Sequence, residues 1–144
     1  MICGIGGQDG AYLAQLLLSK GYDEVGTSRD ATMVSQNGLR ALGIESRVNV
    51  LSMANNDLRS VLQTLTRANA DEICNLAGQT SGFLSFEQPV EAIESIATGT
   101  LNLLEALRFL GCPTRFYNAG SCECFGNTGA KVADENTPLR PHSP

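Results

Sequence analysis

Gly4, Gly7 and Gly10 recur at three-residue intervals in the run Gly4-Ile5-Gly6-Gly7-Gln8-Asp9-Gly10, immediately ahead of a helix-forming stretch. Glycines so placed serve a dinucleotide-binding turn in three ways. They permit a tight reversal, let the backbone approach a pyrophosphate, and let the helix pack close to its strand. The phosphates of such a ligand lie over N–H groups at the positive end of the helix dipole. Gly4, Gly7, Gln8, Asp9 and Gly10 are therefore the first candidate cofactor-binding residues. The spacing is G-x-x-G-x-x-G rather than the commoner G-x-G-x-x-G, and glycine-rich turns ahead of helices also have purely structural uses. The motif gains meaning only from a strand before it and a helix after it.

A second candidate lies where a second strand should end, in Thr27-Ser28-Arg29-Asp30. An acid there binds a ribose 2′-hydroxyl, whereas an arginine accepts a 2′-phosphate. Arg29 comes first, so NADP is expected in preference to NAD. The alternative is that both charges are solvated loop residues.

Other chemistries have less to work with. The five cysteines are Cys3, Cys74, Cys112, Cys122 and Cys124, and the one histidine is His142. Cys122-Glu123-Cys124 lacks the second ligand pair that a structural zinc site needs. The odd cysteine count, with no basic and apolar leader at Met1-Ile2-Cys3-Gly4, points to reduced thiols and a cytoplasmic protein. A net charge of −5, with scattered Lys and Arg, argues against nucleic acid or an anionic membrane as partner. No segment approaches the roughly 18 uninterrupted apolar residues of a membrane span.

Short β-rich runs alternate with amphipathic helical ones, the pattern of βαβ units in a parallel sheet. After the glycine loop, Tyr12, Leu13, Leu16, Leu17 and Lys20 form a helical stripe closed by Gly21. Val25–Ser28 is a weak second strand, and residues 30–47 read as a loop with a short helix around Leu39 to Leu42. Val48–Leu51 is a third strand. Leu58, Val61, Leu62 and Leu65 then have the spacing of a buried helix face. Glu72–Leu76 is a fourth strand, running into Ala77-Gly78-Gln79-Thr80. Pro89 opens a long helix at a position where proline is tolerated. That helix carries Ile93, Ile96, Leu101, Leu104 and Leu107 and stops at Gly111. Arg115–Ala119 is a fifth strand, and Asp134–Pro144 reads as an extended surface segment. At 144 residues and 42% apolar composition the chain suffices for one domain. The expected fold is α/β, a Rossmann-like doubly wound parallel sheet over 1–144, truncated at both ends. Its first strand is reduced to Met1-Ile2-Cys3.

Several longer strings make the chain similar to a known family. They are Gly7-Gln8-Asp9-Gly10-Ala11-Tyr12-Leu13, Asn75-Leu76-Ala77-Gly78-Gln79, Ser85-Phe86-Glu87-Gln88-Pro89, Arg115-Phe116-Tyr117 and Thr137-Pro138. On these the chain resembles the GDP-mannose 4,6-dehydratases, within the extended short-chain dehydrogenase/reductase superfamily, nearly end to end. The resemblance implies a lyase that converts GDP-mannose to GDP-4-keto-6-deoxymannose with a tightly held NADP, by internal hydride transfer and loss of water. In that chemistry hydride leaves C4, a base removes the C5 proton, water leaves from C6, and hydride returns to C6. The resemblance also implies a homo-oligomeric full-length enzyme. It places Ser121 at the sugar 4-hydroxyl and Glu123 as the base at C5. On an extended segment residues two apart point the same way, so both would face one substrate. Leu76, Ala77 and Gln79 would line the cofactor groove, and Ser85 would contact the sugar. The alternatives are a turn hydroxyl for Ser121, a solvated charge for Glu123 and a loop serine for Ser85.

The chain departs from the family pattern in places. Ser52-Met53-Ala54-Asn55-Asn56 holds no aspartate for the adenine edge, Gly120-Ser121 stands where Ser-Thr is common, and His142 replaces a frequent arginine. The family's Tyr-x-x-x-Lys pair and its C-terminal substrate domain have no counterpart in these residues. The chain alone is accordingly expected to be inactive and poorly stable. A non-catalytic fragment or remnant with weak dinucleotide binding is the second reading.

Overall fold

A computed structural model describes residues 1–33 and 36–144. The loop expected over 30–47 includes residues 34 and 35, which lie outside the described residues. Five parallel strands form one sheet in the order β3-β2-β1-β4-β5: β1 (Ile2–Cys3), β2 (Glu24–Ser28), β3 (Val48–Ser52), β4 (Glu72–Asn75) and β5 (Arg115–Asn118). Parallel neighbours need crossovers. These are supplied by helices α1 (Gln8–Ser19), α2 (Asn37–Ala41), α3 (Leu58–Ala68), α4 (Gly82–Glu87), α5 (Pro89–Ile93) and α6 (Gly99–Leu110). A π-helical turn, Glu94–Thr98, joins α5 to α6, and 3₁₀ turns occupy Glu45–Arg47 and Cys122–Phe125.

β1 is two residues long and central. Ile2 pairs with Gly26 of β2 and Cys74 of β4, and Cys3 with Thr27 and Asn75. Both side chains are fully buried, as expected of a strand covered on both faces. The alternation of a strand sends them to opposite sides. Cys3 joins Met1, Ile73, Val61, Leu65 and Leu103 under α3 and α6. Ile2 joins Ile5, Ala14, Leu18 and Val48 on the side covered by α1. Burying one such Leu or Ile contributes roughly 1.5–3 kcal/mol.

Two helices turn a different face inward from the one their large residues suggest. α1 buries Gly10, Ala11, Ala14 and Leu18, leaving Tyr12 and Leu16 about half exposed. The long helix buries Ala92, Gly99, Leu103 and Ala106, while Ile93, Ile96, Leu101 and Leu104 remain exposed. Close approach explains both. A Cβ on Gly10 would fall 2.5 Å from the Gly4 carbonyl oxygen and one on Gly38 3.1 Å from the Ala11 Cβ, while one on Gly99 of α6 would fall 3.0 Å from the Asn55 Cβ. Small residues let the helix axis sit near the sheet, and larger ones are turned outward. By contrast, the stripe expected on α3 is inside at Val61 and Leu65.

Most punctuation falls where expected. Pro89 is at the first turn of α5, and Gly111 closes α6 with φ +62°. Gly21 follows α1 at φ +87°. α4 was not expected; Ser81 starts it by accepting a hydrogen bond from the Leu84 N–H at 3.3 Å. Among the described residues no helix is long and apolar enough to cross a membrane.

Candidate functional site

In this strand order the chain runs outward from β1 through β2 to β3, then returns to place β4 on the other side of β1. Ligands in such sheets bind beyond the carboxyl ends of the strands at that switch. A groove of about 1180 Å³ opens there. Gly4, Gly6 and Gly7 form its floor, Thr27-Ser28-Arg29 and Met53 its β2–β3 side, and Leu76 to Thr80 its β4 side. The far wall comes from the chain between Leu84 and Ser95.

The floor is built by backbone. Gly4 adopts φ +85°, and a Cβ there would lie 3.0 Å from the Leu76 and Ala77 main chain. The Gly4 and Ile5 N–H groups both donate to the Thr27 carbonyl at 3.1 Å, continuing β1 beyond its two ladder residues. Gly7 then starts α1 with φ −76° and ψ 166° and offers no side-chain cap. The first N–H groups of an α-helix have no partner inside it. Those of α1 therefore remain available to a ligand, at the positive end of the helix dipole.

The β4 side is tied in place by side chains. Buried Asn75 donates its amide to the Asn118 Oδ1 at 2.7 Å and accepts from the Ala77 N–H at 3.3 Å. One amide thus links the ends of β4 and β5 to the groove lining. Gln79 donates its N–H to the Ser95 hydroxyl at 3.1 Å, and its Oε1 accepts from the Ser81 N–H at 2.7 Å. Ser95 is within the π-helical turn, a distortion frequent at functional sites.

The residues expected from the sequence divide into two groups. Gly4, Gly7, Arg29, Leu76, Ala77 and Gln79 line the groove together. Gln8, Asp9 and Gly10 do not; Gly10 instead holds α1 against the glycine loop, the third use anticipated for it. Ser85 is buried and its hydroxyl donates to the Gly82 carbonyl at 2.6 Å, a local bond inside α4. Ser121 and Glu123 lie outside this groove, on an exposed turn beyond the end of β5.

Their local geometry corrects the extended segment expected for them. Residues Cys122–Phe125 form a 3₁₀ turn, and the Ser121 hydroxyl accepts from the Glu123 N–H at 3.2 Å. A serine before a tight turn satisfies the free donor of that turn, and this overrides continuation of the strand. The two side chains are therefore related by a cap rather than by strand alternation. The tail lies back on this turn, with the Arg140 N–H donating to the Cys124 carbonyl at 2.9 Å.

Asn55 and Asn56, noted from the sequence only as part of a stretch without the family's adenine-edge aspartate, also line the groove, as do Glu87, Glu91 and Glu94, which the sequence did not reveal. Only the spacing of the three acids, four and then three, hinted at a shared helix face. Asp30 is not part of the groove lining. Its Oδ1 accepts from the Thr32 hydroxyl at 2.7 Å and from the Thr32 and Met33 N–H groups at 2.8 and 3.2 Å. Those bonds, the hydroxyl's first, hold its carboxyl below the usual aspartate range. Burial pushes the Cys3 thiol up to about 11, so it stays protonated at neutral pH. Among the described residues no group of three or more His, Cys, Asp or Glu is placed to hold a metal ion.

Residues 1–144 match the family model described as GDP-mannose 4,6 dehydratase. A GDP-mannose 4,6-dehydratase of Vibrio cholerae is 35% identical over 151 residues, covering 100% of this chain and 41% of its own. GDP-mannose 4,6 dehydratase 1 of Arabidopsis thaliana is 36% identical over 154 residues, with 100% and 42% covered. The chain thus spans about two fifths of the length of these relatives. In fold it is similar to the UDP-glucose 4-epimerase of Thermus thermophilus, with a TM-score of 0.83 and 24% identity, covering 99% of this chain and 44% of that one.

The expectation of NADP is corrected by these solved structures. The Thermus epimerase carries NAD, as do epimerases from Brucella ovis and Stenotrophomonas maltophila and a dTDP-glucose 4,6-dehydratase from Streptomyces venezuelae. A physical reason is visible in this chain as well: the Arg29 guanidinium expected to take a 2′-phosphate is already paired with Glu91 at 3.3 Å. The chain belongs to the GDP-mannose 4,6-dehydratase family.

Proposed function

We propose that this chain is the dinucleotide-binding part of an enzyme that dehydrates GDP-mannose, with NAD in the groove between β1, β2 and β4. The observation that carries the reading is the α1 N-terminus, which has no side-chain cap and opens into the groove over Gly4, Gly6 and Gly7. The fit is steric as well as electrostatic. Side chains at Gly4 and Gly7 would crowd the Leu76–Ala77 main chain and the Gly4 carbonyl, respectively, so the floor stays low enough for a pyrophosphate.

In this reading the first-turn N–H groups of α1 hold the pyrophosphate, Thr27 and Ser28 flank one ribose, and Leu76, Ala77 and Gln79 flank the other half of the ligand. NAD would supply the reversible hydride acceptor that such a redox-neutral loss of water requires. Ser121 would hydrogen-bond the sugar 4-hydroxyl, and Glu123 would take the proton from C5. Their support is family membership and their place just beyond the carboxyl end of β5. For Ser85 to contact the sugar, as the family resemblance implies, its buried hydroxyl would have to give up its bond to the Gly82 carbonyl.

No tyrosine of this chain has a lysine four residues on: Leu16, Gly26 and Ser121 occupy those positions after Tyr12, Tyr22 and Tyr117. The chain by itself is therefore expected to bind NAD and leave GDP-mannose unconverted. Calorimetric titration of the purified chain with NAD, followed by an assay for the 4-keto sugar, tests both parts. Saturable binding of one NAD without product is the expected result. Absence of NAD binding would remove the reading of the groove, and product formation would overturn the division of labour.

A further inference from the structure

The turn that carries Ser121 and Glu123 is held from outside. Its own bonds run from the Glu123 N–H to the Ser121 hydroxyl at 3.2 Å, from the Cys124 N–H to the Ser121 carbonyl at 3.3 Å and from the Gly126 N–H to the Glu123 carbonyl at 3.1 Å. A single 3₁₀ turn has poor bond geometry and no length over which to be cooperative. Ser121, Cys122 and Glu123 are exposed, so burial supports it little. A shorter bond arrives from the tail, where the Arg140 N–H donates to the Cys124 carbonyl at 2.9 Å. Gly126, which closes the turn, is the seat for the same segment. Its φ of +60° and ψ of −141° lie near a region open essentially to glycine. A Cβ there would overlap the Arg140 carbonyl oxygen and lie 3.3 Å from Cδ2 of the His142 ring.

The tail reaches that seat already shaped. Upstream it is a closed turn, with the Thr137 N–H donating to the Asp134 carbonyl at 3.0 Å and the Asp134 N–H to the Thr137 hydroxyl at 2.9 Å. Pro138 and Pro141 then restrict the backbone on either side of Arg140. A segment restricted in advance loses less freedom on docking. Apolar burial does not draw it in, since Val132 and Leu139 are 96% and 67% exposed. Main-chain contact with Cys124 and Gly126 holds it instead. We propose that Arg140–His142 is a strap clipped onto the Ser121–Phe125 turn through Gly126, and that Gly126 and Arg140 are positioning residues. Without the strap the turn opens, and Ser121 and Glu123 lose their fixed relation. The strap stands independently of the function proposed above, whereas its bearing on the sugar chemistry rests on that reading.

The chain's own cysteines report on the strap. Alkylation by iodoacetamide is followed site by site by mass spectrometry in the wild type, Gly126→Ala, Arg140→Pro and Gly129→Ala. Thiol reactivity follows exposure. Cys124 is half-buried on the turn, Cys112 and Cys122 are exposed, and Cys3 is buried in the sheet. Arg140→Pro removes the donating N–H and leaves every residue of the turn in place. Gly129→Ala imposes a similar left-handed strain, at φ +63°, with nothing within 4 Å of the new Cβ. Cys124 reacts at least about threefold faster in Gly126→Ala and Arg140→Pro, and within about 1.5-fold of the wild type in Gly129→Ala. Cys3 stays unreactive throughout. In amide NMR spectra the Glu123 and Cys124 resonances move in the first two variants while those of β1 and β4 stay in place, a pattern that general destabilisation does not produce. An unchanged Cys124 rate or an unmoved Glu123 resonance in Arg140→Pro overturns the strap, as does an equal response to Gly129→Ala. If Cys3 becomes reactive in Gly126→Ala, Arg140→Pro decides. A reactive Cys3 in both overturns the inference, because the contact would then serve the whole fold rather than the turn. A wild type that binds no NAD removes the reading of the groove and leaves the strap standing.

Discussion

α1 and α3 both begin beyond the carboxyl ends of strands in the same sheet, yet their N-termini are finished in opposite ways. Asp57 starts α3 from an extended backbone, and its carboxylate accepts from the Arg59 and Ser60 N–H groups at 3.1 and 3.3 Å. Gly7 starts α1 from a similarly extended backbone with no side chain to offer. The donors of α3 are satisfied internally, which stabilises the chain. Those of α1 are left to whatever enters the groove. One element type thus serves stability at one strand end and recognition at another, and the residue before the helix decides which.

The largest change expected from disturbing this contrast is at Gly10. A side chain there meets the Gly4 carbonyl oxygen at 2.5 Å and the Ile5 Cα at 3.0 Å, both main chain. Gly10→Val is expected to destabilise by about 3 kcal/mol or more and to abolish NAD binding, read from a urea midpoint and a titration. A loss below about 1 kcal/mol would show that α1 does not depend on this close approach.

Next in size is Asp57→Ala. Removing the cap of α3 should cost about 1 kcal/mol in the same urea experiment. The NAD affinity should stay within about twofold, since Asp57 is not part of the groove lining. A parallel fall in NAD affinity would mean that the two helix ends are coupled.

The smallest stability effect, and the sharpest contrast, is expected from Gly7→Asp. It gives α1 the cap that α3 has, at a backbone conformation suited to it, although the new Cβ must sit 3.3 Å from the Gly4 oxygen. Stability should rise by a few tenths of a kcal/mol, whereas NAD binding weakens at least about tenfold, because a carboxylate then occupies the phosphate position. A variant that is both more stable and equally good at binding NAD would separate the α1 terminus from the ligand.

Much of the scaffold was legible in the sequence because its signals are local. The alternation that gave β3 and β4, the Leu58–Leu65 spacing of α3, Pro89 at a helix start and Gly111 at a helix stop all act within a few residues. The glycine floor was legible for the same reason, whereas the Leu76–Gln79 lining was expected only from the family resemblance. What escaped depends on distance or on smallness. Reading large apolar residues as the buried stripe misplaced the inner faces of α1 and α6, where glycine and alanine permit a closer approach. Ser121 and Glu123 read as extended because the strand before them is; the serine cap that starts a new turn is a competing local bond. Arg29 suggested a 2′-phosphate because its partner, Glu91, lies 62 residues further along the chain.

The central position of β1 also fixes the order in which the molecule can assemble. The Met1 nitrogen donates to the Glu72 carbonyl, 71 positions further along the chain, beside the pairing of β1 with β4. Sheets closed by such distant pairs fold slowly, since the loop must be brought together before the contact is gained. At a synthesis rate of about 5–20 residues per second, β1 waits several seconds on the ribosome for β4 to emerge. Over that interval Ile2 and Cys3, destined for full burial, have at most one edge covered, by β2. The glycine floor is incomplete for just as long, because Gly4 backs onto Leu76 and Ala77. The ligand site forms only once β4 and the segment to Ser95 are in place, so a bound dinucleotide reports that β1 has gained both of its neighbours.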